Sequence, residues 1–103
     1  MLLIEDVDRV RTIAMNRPEV LNAFNSVQFS ELTEAIVDAG MDDEVRVVVL
    51  TGTGRAFSSG ADLGERGARR QNSATDRFPK FCHAVIECPK PFALAINGLG
   101  VGL

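Results

Sequence analysis

A chain of 103 residues with a formal net charge of −3 fits one domain or part of one, and it lacks the basic stripe that nucleic-acid binding requires. With 46% hydrophobic and 24% charged residues it reads as a soluble globular protein, and its longest apolar runs, 47–50 and 92–96, are too short to span a bilayer. The acidic start Met1-Leu2-Leu3-Ile4-Glu5-Asp6 argues against a secretion signal, while Cys82 and Cys88, without CxxC spacing, read as reduced, packed thiols of a cytoplasmic protein.

Residues 2–6 and 9–14 alternate apolar and polar around Val7-Asp8, which predicts a β-hairpin. Asn16-Arg17-Pro18-Glu19 breaks the second strand, because proline removes a donor and restrains its neighbour. Asn25 followed three positions later by Gln28 predicts a capping-box-like helix start. Phe29, Leu32, Ile36 and Ala39 mark one face of that helix, Glu31, Glu34 and Asp38 the wet side, and Gly40 its stop.

The β-branched run 45–50 predicts a strand covered on both faces, ended by Thr51-Gly52-Thr53-Gly54. Residues 64–76 are polar, glycine-dotted and non-periodic, and read as a mobile surface loop; there Arg66, Arg69 and Arg70 sit beside Asp62 and Glu65 as a solvated cluster rather than a phosphate patch. Phe78, Phe81, Cys82, Val85 and Ile86 form the stripe of a second helix, with Pro79 in its first turn and Pro89 beyond its end. His83 falls off that stripe with Lys80 and Glu87. Residues 92–96 predict another buried strand. The order ββ-α-β-loop-α-β is an α/β pattern.

Two loops carry the chemical interest: Phe57-Ser58-Ser59-Gly60-Ala61-Asp62-Leu63 and Asn97-Gly98-Leu99-Gly100-Val101-Gly102-Leu103. Neither is a dinucleotide fingerprint or a P-loop, since the glycine spacing fails and no Gly-Lys-Ser/Thr follows. Taken singly, each is as well explained by a tight turn. Together they place small residues and glycine just past two strands, where backbone N–H groups can face a developing oxyanion; the second loop reads as the tight start of a new helix.

With Ile13-Ala14-Met15-Asn16-Arg17-Pro18-Glu19-Val20-Leu21-Asn22-Ala23, the strand 47–52 and Lys90-Pro91 through Leu103, these loops make the chain resemble the crotonase, or enoyl-CoA hydratase/isomerase, family over essentially all 103 residues. The resemblance implies an α/β fold, a partial crotonase-like ββα spiral that stops after the second oxyanion-hole loop, so that residues 1–103 are the N-terminal part of an acyl-CoA-binding core. It implies that the N–H groups of Ala61 and Leu103 hold a thioester oxygen as it becomes enolate-like. It further implies that Leu21, Ala23, Ala61, Asp62, Leu63 and Gly64 line the path of coenzyme A, which belongs to the acyl-CoA or enoyl-CoA substrate and is not a permanently bound cofactor. No metal is implied. Residues 65–76 match the family's variable loop beside the acyl pocket, and the family's longer chains form homotrimers or hexamers.

The departures are specific. Hydratases of the family carry two acid/base glutamates after the second loop, and no glutamate among these 103 residues matches them. Gly102-Leu103 stands where hydratases carry three consecutive glycines, a pattern that resembles isomerase-like branches of the family. Glu5, Glu19, Glu31, Glu34, Glu44, Glu65 and Glu87 read as surface charge, and Asp62 as a brace of its own loop. The expectation is an oxyanion-hole protein of enoyl-CoA hydration or isomerisation that gives no turnover as this polypeptide alone, with exposed apolar surface, self-association, or disorder near the C-terminus. The competing readings are a non-catalytic acyl-CoA-binding or subunit-associating fragment, and an independent α/β binding module.

Overall fold

Alternating residues fold Leu2–Val7 (β1) against Val10–Met15 (β2) as an antiparallel hairpin in a computed structural model that describes residues 2–58 and 74–100, the side chains of 74–78 and 99 excepted. Val7 pairs with Val10, so the two turn residues are Asp8 (φ 51°) and Arg9 (φ 68°), one position later than the sequence suggests. Two consecutive left-handed residues match the right-handed twist of the strands. Arg9 is steadied by donating its side-chain N–H groups to the carbonyls of Asp43 and Glu44.

After β2 the chain makes one 3₁₀ turn, Pro18–Val20, with proline at its start, and enters Ser26–Met41 (α1). Asn25 caps α1 by accepting from the Gln28 N–H at 2.8 Å. The capping box is half formed: the Gln28 side chain is fully buried and its amide has no hydrogen-bond partner among the described residues. Gly40 does not stop the helix, which runs on to Met41. A Cβ on Gly40 would lie 3.0 Å from Pro89 Cδ, so the glycine serves close packing instead.

Val47–Gly52 (β3) runs parallel to β2, and Phe92–Ala95 (β5) runs parallel to β3, giving the sheet order β1-β2-β3-β5. Between them Ala74–Glu87 (α2) crosses over. Ala74, Thr75 and Asp76, expected in the loop, are helical, which leaves Pro79 inside α2 rather than in its first turn. The remainder of that expected loop lies outside the described residues.

Ile13, Met15, Val48 and Leu50 share one core with Phe29, Leu32 and Ile36 of α1 and Phe81 and Ala84 of α2. Within it Phe24 and Phe29 stack with ring centroids 4.5 Å apart, and Phe81 tilts against them at 6.3 and 5.4 Å. Each such fully buried large side chain contributes about 1.5–3 kcal/mol. The expectation of strands covered on both faces holds only in part. Val48 and Leu50 are buried, but Val47 and Val49 are half-buried, and on β5 Leu94 is exposed, as are Ile96 just beyond it and Ile86 of α2. Phe92 of β5 packs against the core, but among the described residues β5 is the last strand of its sheet and no described strand pairs with its outer edge; the apolar surface expected from the sequence is present.

One end of the sheet is tied by charge. Arg11 donates to both Asp6 oxygens at 2.8 Å and to Asp42 at 2.9 Å, while Lys90 donates to the carbonyls of Ala39 and Asp42 at the end of α1. The bond from Arg11 holds Asp6 below the usual carboxylate range; for Asp42 the N–H of Glu44 is the main cause and Arg11 the second. A carboxyl depressed by folding stabilises the fold above its unfolded value and loses that contribution as pH falls through its folded value. The expected result is a melting temperature that drops as pH falls below about 4, with a shallower drop in the double variant Asp6→Asn, Asp42→Asn; thermal melts across pH 2–6 check it.

Candidate functional site

The two loops begin side by side. Ala56–Ser58 (β4) and Leu99–Gly100 (β6) form a second, two-stranded parallel sheet in which Ala56 pairs with Leu99 and Ser58 with Gly100. At Ser58 and Gly100, the last described residue of each, the two segments therefore run side by side in the same direction. Leu99 and Gly100 are strand, and a helix starting beyond them in the second loop, as read from the sequence, would lie outside the described residues. Of the predicted site residues, Ala61, Asp62, Leu63, Gly64 and Leu103 lie outside the described residues, as does Glu65; Leu21 and Ala23 are described.

Leu21 and Asn22 are both left-handed, at φ 53° and 55°. That conformation costs a non-glycine residue about 1–2 kcal/mol, least for asparagine. The Ala23 N–H closes the turn by donating to the Val20 carbonyl at 3.1 Å, and further bonds tie it to Arg17. The Arg17 N–H donates to Asn22 Oδ1 at 2.8 Å, the Asn22 N–H donates to the Arg17 carbonyl at 2.8 Å, and the Arg17 guanidinium donates to the Ala23 carbonyl at 2.7 Å. Leu21 is left half-exposed at the rim, whereas Ala23 is buried.

Asn22, between those two residues, is the part that sequence reading missed. Its side chain is fully buried and its Nδ2 donates to the carbonyls of Thr53 and Ala56, each at 2.9 Å. Its own carbonyl accepts from Ser58 Oγ at 3.0 Å. From the other side, Asn97 Nδ2 donates to the carbonyls of Gly54 at 2.9 Å and Ala56 at 3.2 Å, while its Oδ1 accepts from the Gly52 N–H at 3.1 Å. The turn between β3 and β4 is thus held by two asparagines that meet on one carbonyl. The only hint in the sequence is an asparagine after a proline turn, where left-handed backbone favours it.

Glycine makes this junction possible. A Cβ on Gly98 would lie 2.1 Å from the Arg55 carbonyl oxygen, and one on Gly52 2.7 Å from the carbonyl oxygens of both Ala56 and Phe57. At Gly100 the nearest atoms would be 3.9 Å away. Beside Ser58 and Gly100 opens an apolar cavity of about 550 Å³ lined by Leu50, Phe57, Phe81, Val85, Leu94 and Ile96 among others.

No carboxylate is brought to the described part of this site. Glu5, Glu19, Glu34, Glu44 and Glu87 are exposed and Glu31 is half-buried. His83 is exposed, on a separate groove between α1 and α2 whose lining includes neither loop. Cys82 and Cys88 are free, half-buried thiols. Among the described residues no cluster of His, Cys, Asp and Glu could hold a metal ion, and no helix is long and apolar enough to cross a membrane.

Comparison with known proteins agrees with this geometry. The profile of the Enoyl-CoA hydratase/isomerase family matches residues 5–102. A probable enoyl-CoA hydratase of Rhodobacter capsulatus is 42% identical over 93 residues, covering 87% of this chain and 35% of its own length. The 1,2-epoxyphenylacetyl-CoA isomerase of Escherichia coli is 35% identical over 100 residues, covering 90% and 38%. Among solved structures, an enoyl-CoA hydratase from Mycobacterium marinum superposes with a TM-score of 0.87 at 43% identity, covering 98% of this chain and 50% of that one.

The two-layer α/β arrangement is therefore that of the crotonase fold, in part. The chain belongs to the enoyl-CoA hydratase/isomerase family, and it spans between 35% and 38% of the length of those two curated relatives. Coenzyme A enters the chemistry of this family as part of a thioester substrate, not as a permanent cofactor.

Proposed function

We propose that this chain binds acyl-CoA thioesters and polarises the thioester carbonyl through the backbone N–H groups of Ala61 and Leu103. The observation that carries the reading is the register Ser58↔Gly100. Ala61 follows Ser58 by three residues and Leu103 follows Gly100 by three, so the two donors lie at equal sequence separations from that paired point. Paired backbone donors aimed at a developing oxyanion stabilise it without reorganisation, each contributing roughly 10²–10³ in rate. The apolar cavity beside both strands has the chemistry an acyl chain requires. Leu21 and Ala23, Asp62, Leu63 and Gly64 would follow the coenzyme A portion.

The longer protein's reaction, in this proposal, is hydration or isomerisation of an enoyl-CoA in the cytoplasm, carried out by a homotrimer or hexamer. The 103 residues supply the oxyanion hole without a matched acid/base pair, and positioned acid/base groups typically contribute a further ~10²–10⁴. The exposure of the described glutamates favours a second reading for this polypeptide alone, a non-catalytic acyl-CoA binder.

The test is an equilibrium titration with crotonyl-CoA and with free CoA, run beside a hydration assay. Saturable binding that favours the thioester, without turnover, is the expected result. Ala61→Pro, which deletes one N–H, should abolish the preference while free CoA still binds. Equal affinity for both ligands would contradict the oxyanion hole, and turnover that is lost in Ala61→Pro would contradict the inactivity.

A further inference from the structure

We infer that Asn22 and Asn97 are positioning residues for the proposed carbonyl site, which hold β4 and β6 at a fixed spacing by converging on the Ala56 carbonyl. The inference rests on the acyl-CoA reading above and deepens it. Ala56 is the first residue of β4, and its carbonyl accepts at 2.9 Å from Asn22 and at 3.2 Å from Asn97. One amide comes from the turn that carries Leu21 and Ala23. The other comes from the segment leading into β6. A single acceptor thus joins three stretches: the proposed coenzyme A path, the strand before the first loop and the strand before the second.

The small sheet needs that joint. Among the described residues Ala56↔Leu99 and Ser58↔Gly100 are the pairs across it, with an irregular register between them. Two such short strands do not fix a separation by their own ladder. The asparagines supply what the ladder lacks. Asn97 accepts from the Gly52 N–H while donating to Gly54 and Ala56, which locks the turn to the end of β3. Asn22 holds the same turn at Thr53 and Ala56, and through its carbonyl fixes the Ser58 hydroxyl, at the last described residue before the first loop. Oxyanion stabilisation falls steeply when donors move from hydrogen-bond distance, so a joint that sets their separation acts on carbonyl recognition more than on general affinity.

The experiment compares butyryl-CoA with S-butyl-CoA, a thioether of the same length without the carbonyl. Their affinity ratio isolates the carbonyl bonds; two modest hydrogen bonds correspond to about tenfold. Two variants are used. Asn97→Asp keeps the acceptor for Gly52 but replaces both donors, and Ser58→Ala removes only the hydroxyl bonded to Asn22. Leu32→Ala in the core serves as a control of comparable destabilisation. The expected result is a ratio of about ten in the unaltered chain and in Leu32→Ala, falling towards one in both site variants, with thioether affinity kept within about threefold.

A ratio of one in the unaltered chain would overturn the acyl-CoA reading itself. A ratio that survives in folded Asn97→Asp and Ser58→Ala would overturn the positioning role alone. Loss of the ratio in Leu32→Ala as well would reduce that role to ordinary stability. Variants unable to fold would overturn it too, because the role inferred is separable from folding.

Discussion

Replacing Gly98 by alanine should destabilise the chain by about 3 kcal/mol or more, at the upper end of what overpacking costs. The added Cβ would lie 2.1 Å from the Arg55 carbonyl oxygen and 3.0 Å from its carbon, both backbone atoms with no rotamer to move into. Relief requires the Arg55–Ala56 peptide and β6 to part, which breaks the Ala56↔Leu99 pairing and the register that brings the loops together. Gly100→Ala is the matched control: its Cβ would meet Ile96 and Phe57 at 3.9 and 4.0 Å, ordinary contact. Its effect should stay within about 0.5 kcal/mol. Urea unfolding midpoints of the two variants check the contrast, and equal midpoints would mean that the close approach at Gly98 is not maintained in solution.

Asn22→Ala should cost about 3–5 kcal/mol. It takes a donor from the Thr53 carbonyl and an acceptor from the Arg17 N–H, lost bonds to part-buried groups that cost about 1–3 kcal/mol each, while the Ala56 carbonyl keeps its bond from Asn97. It also asks alanine to hold φ 55°, which asparagine tolerates better. Asn22→Asp separates these contributions, because the carboxylate still accepts from Arg17 but faces two carbonyls without a proton to offer. It should fall close to alanine at neutral pH and recover as the carboxyl is protonated, since the neutral acid regains one donor. Chemical denaturation of both variants at pH 7 and pH 4 reads this directly; a pH-independent difference would contradict the assigned bonds.

How much of this was legible in the sequence follows from the range of the forces involved. The hairpin, α1 with its Asn25 cap and the Phe81, Cys82 and Val85 part of the α2 stripe come from local periodicity and capping, which a linear reading captures, whereas Ile86, read into the same stripe, is exposed. The turn position slipped by one residue because Asp8-Arg9 holds two left-handed residues without a glycine to announce them. Gly40 was misread as a stop because its reason, the approach of Pro89, lies far along the chain. The pairing of β4 with β6 joins residues 56–58 to 99–100, and no periodicity in either stretch announces it. Asn22 escaped notice for the same reason: its partners are Thr53 and Ala56, which only the tertiary fold brings near.

The central claim is that two backbone N–H groups, those of Ala61 and Leu103, recognise a thioester carbonyl. The most direct measurement is a ¹H–¹⁵N correlation spectrum of the labelled chain titrated with butyryl-CoA and, separately, with S-butyl-CoA. The account predicts that the Ala61 and Leu103 amide protons move downfield together and saturably with the thioester, and stay near their free positions with the thioether. Amides that respond alike to both ligands, or to neither while others shift, would contradict it.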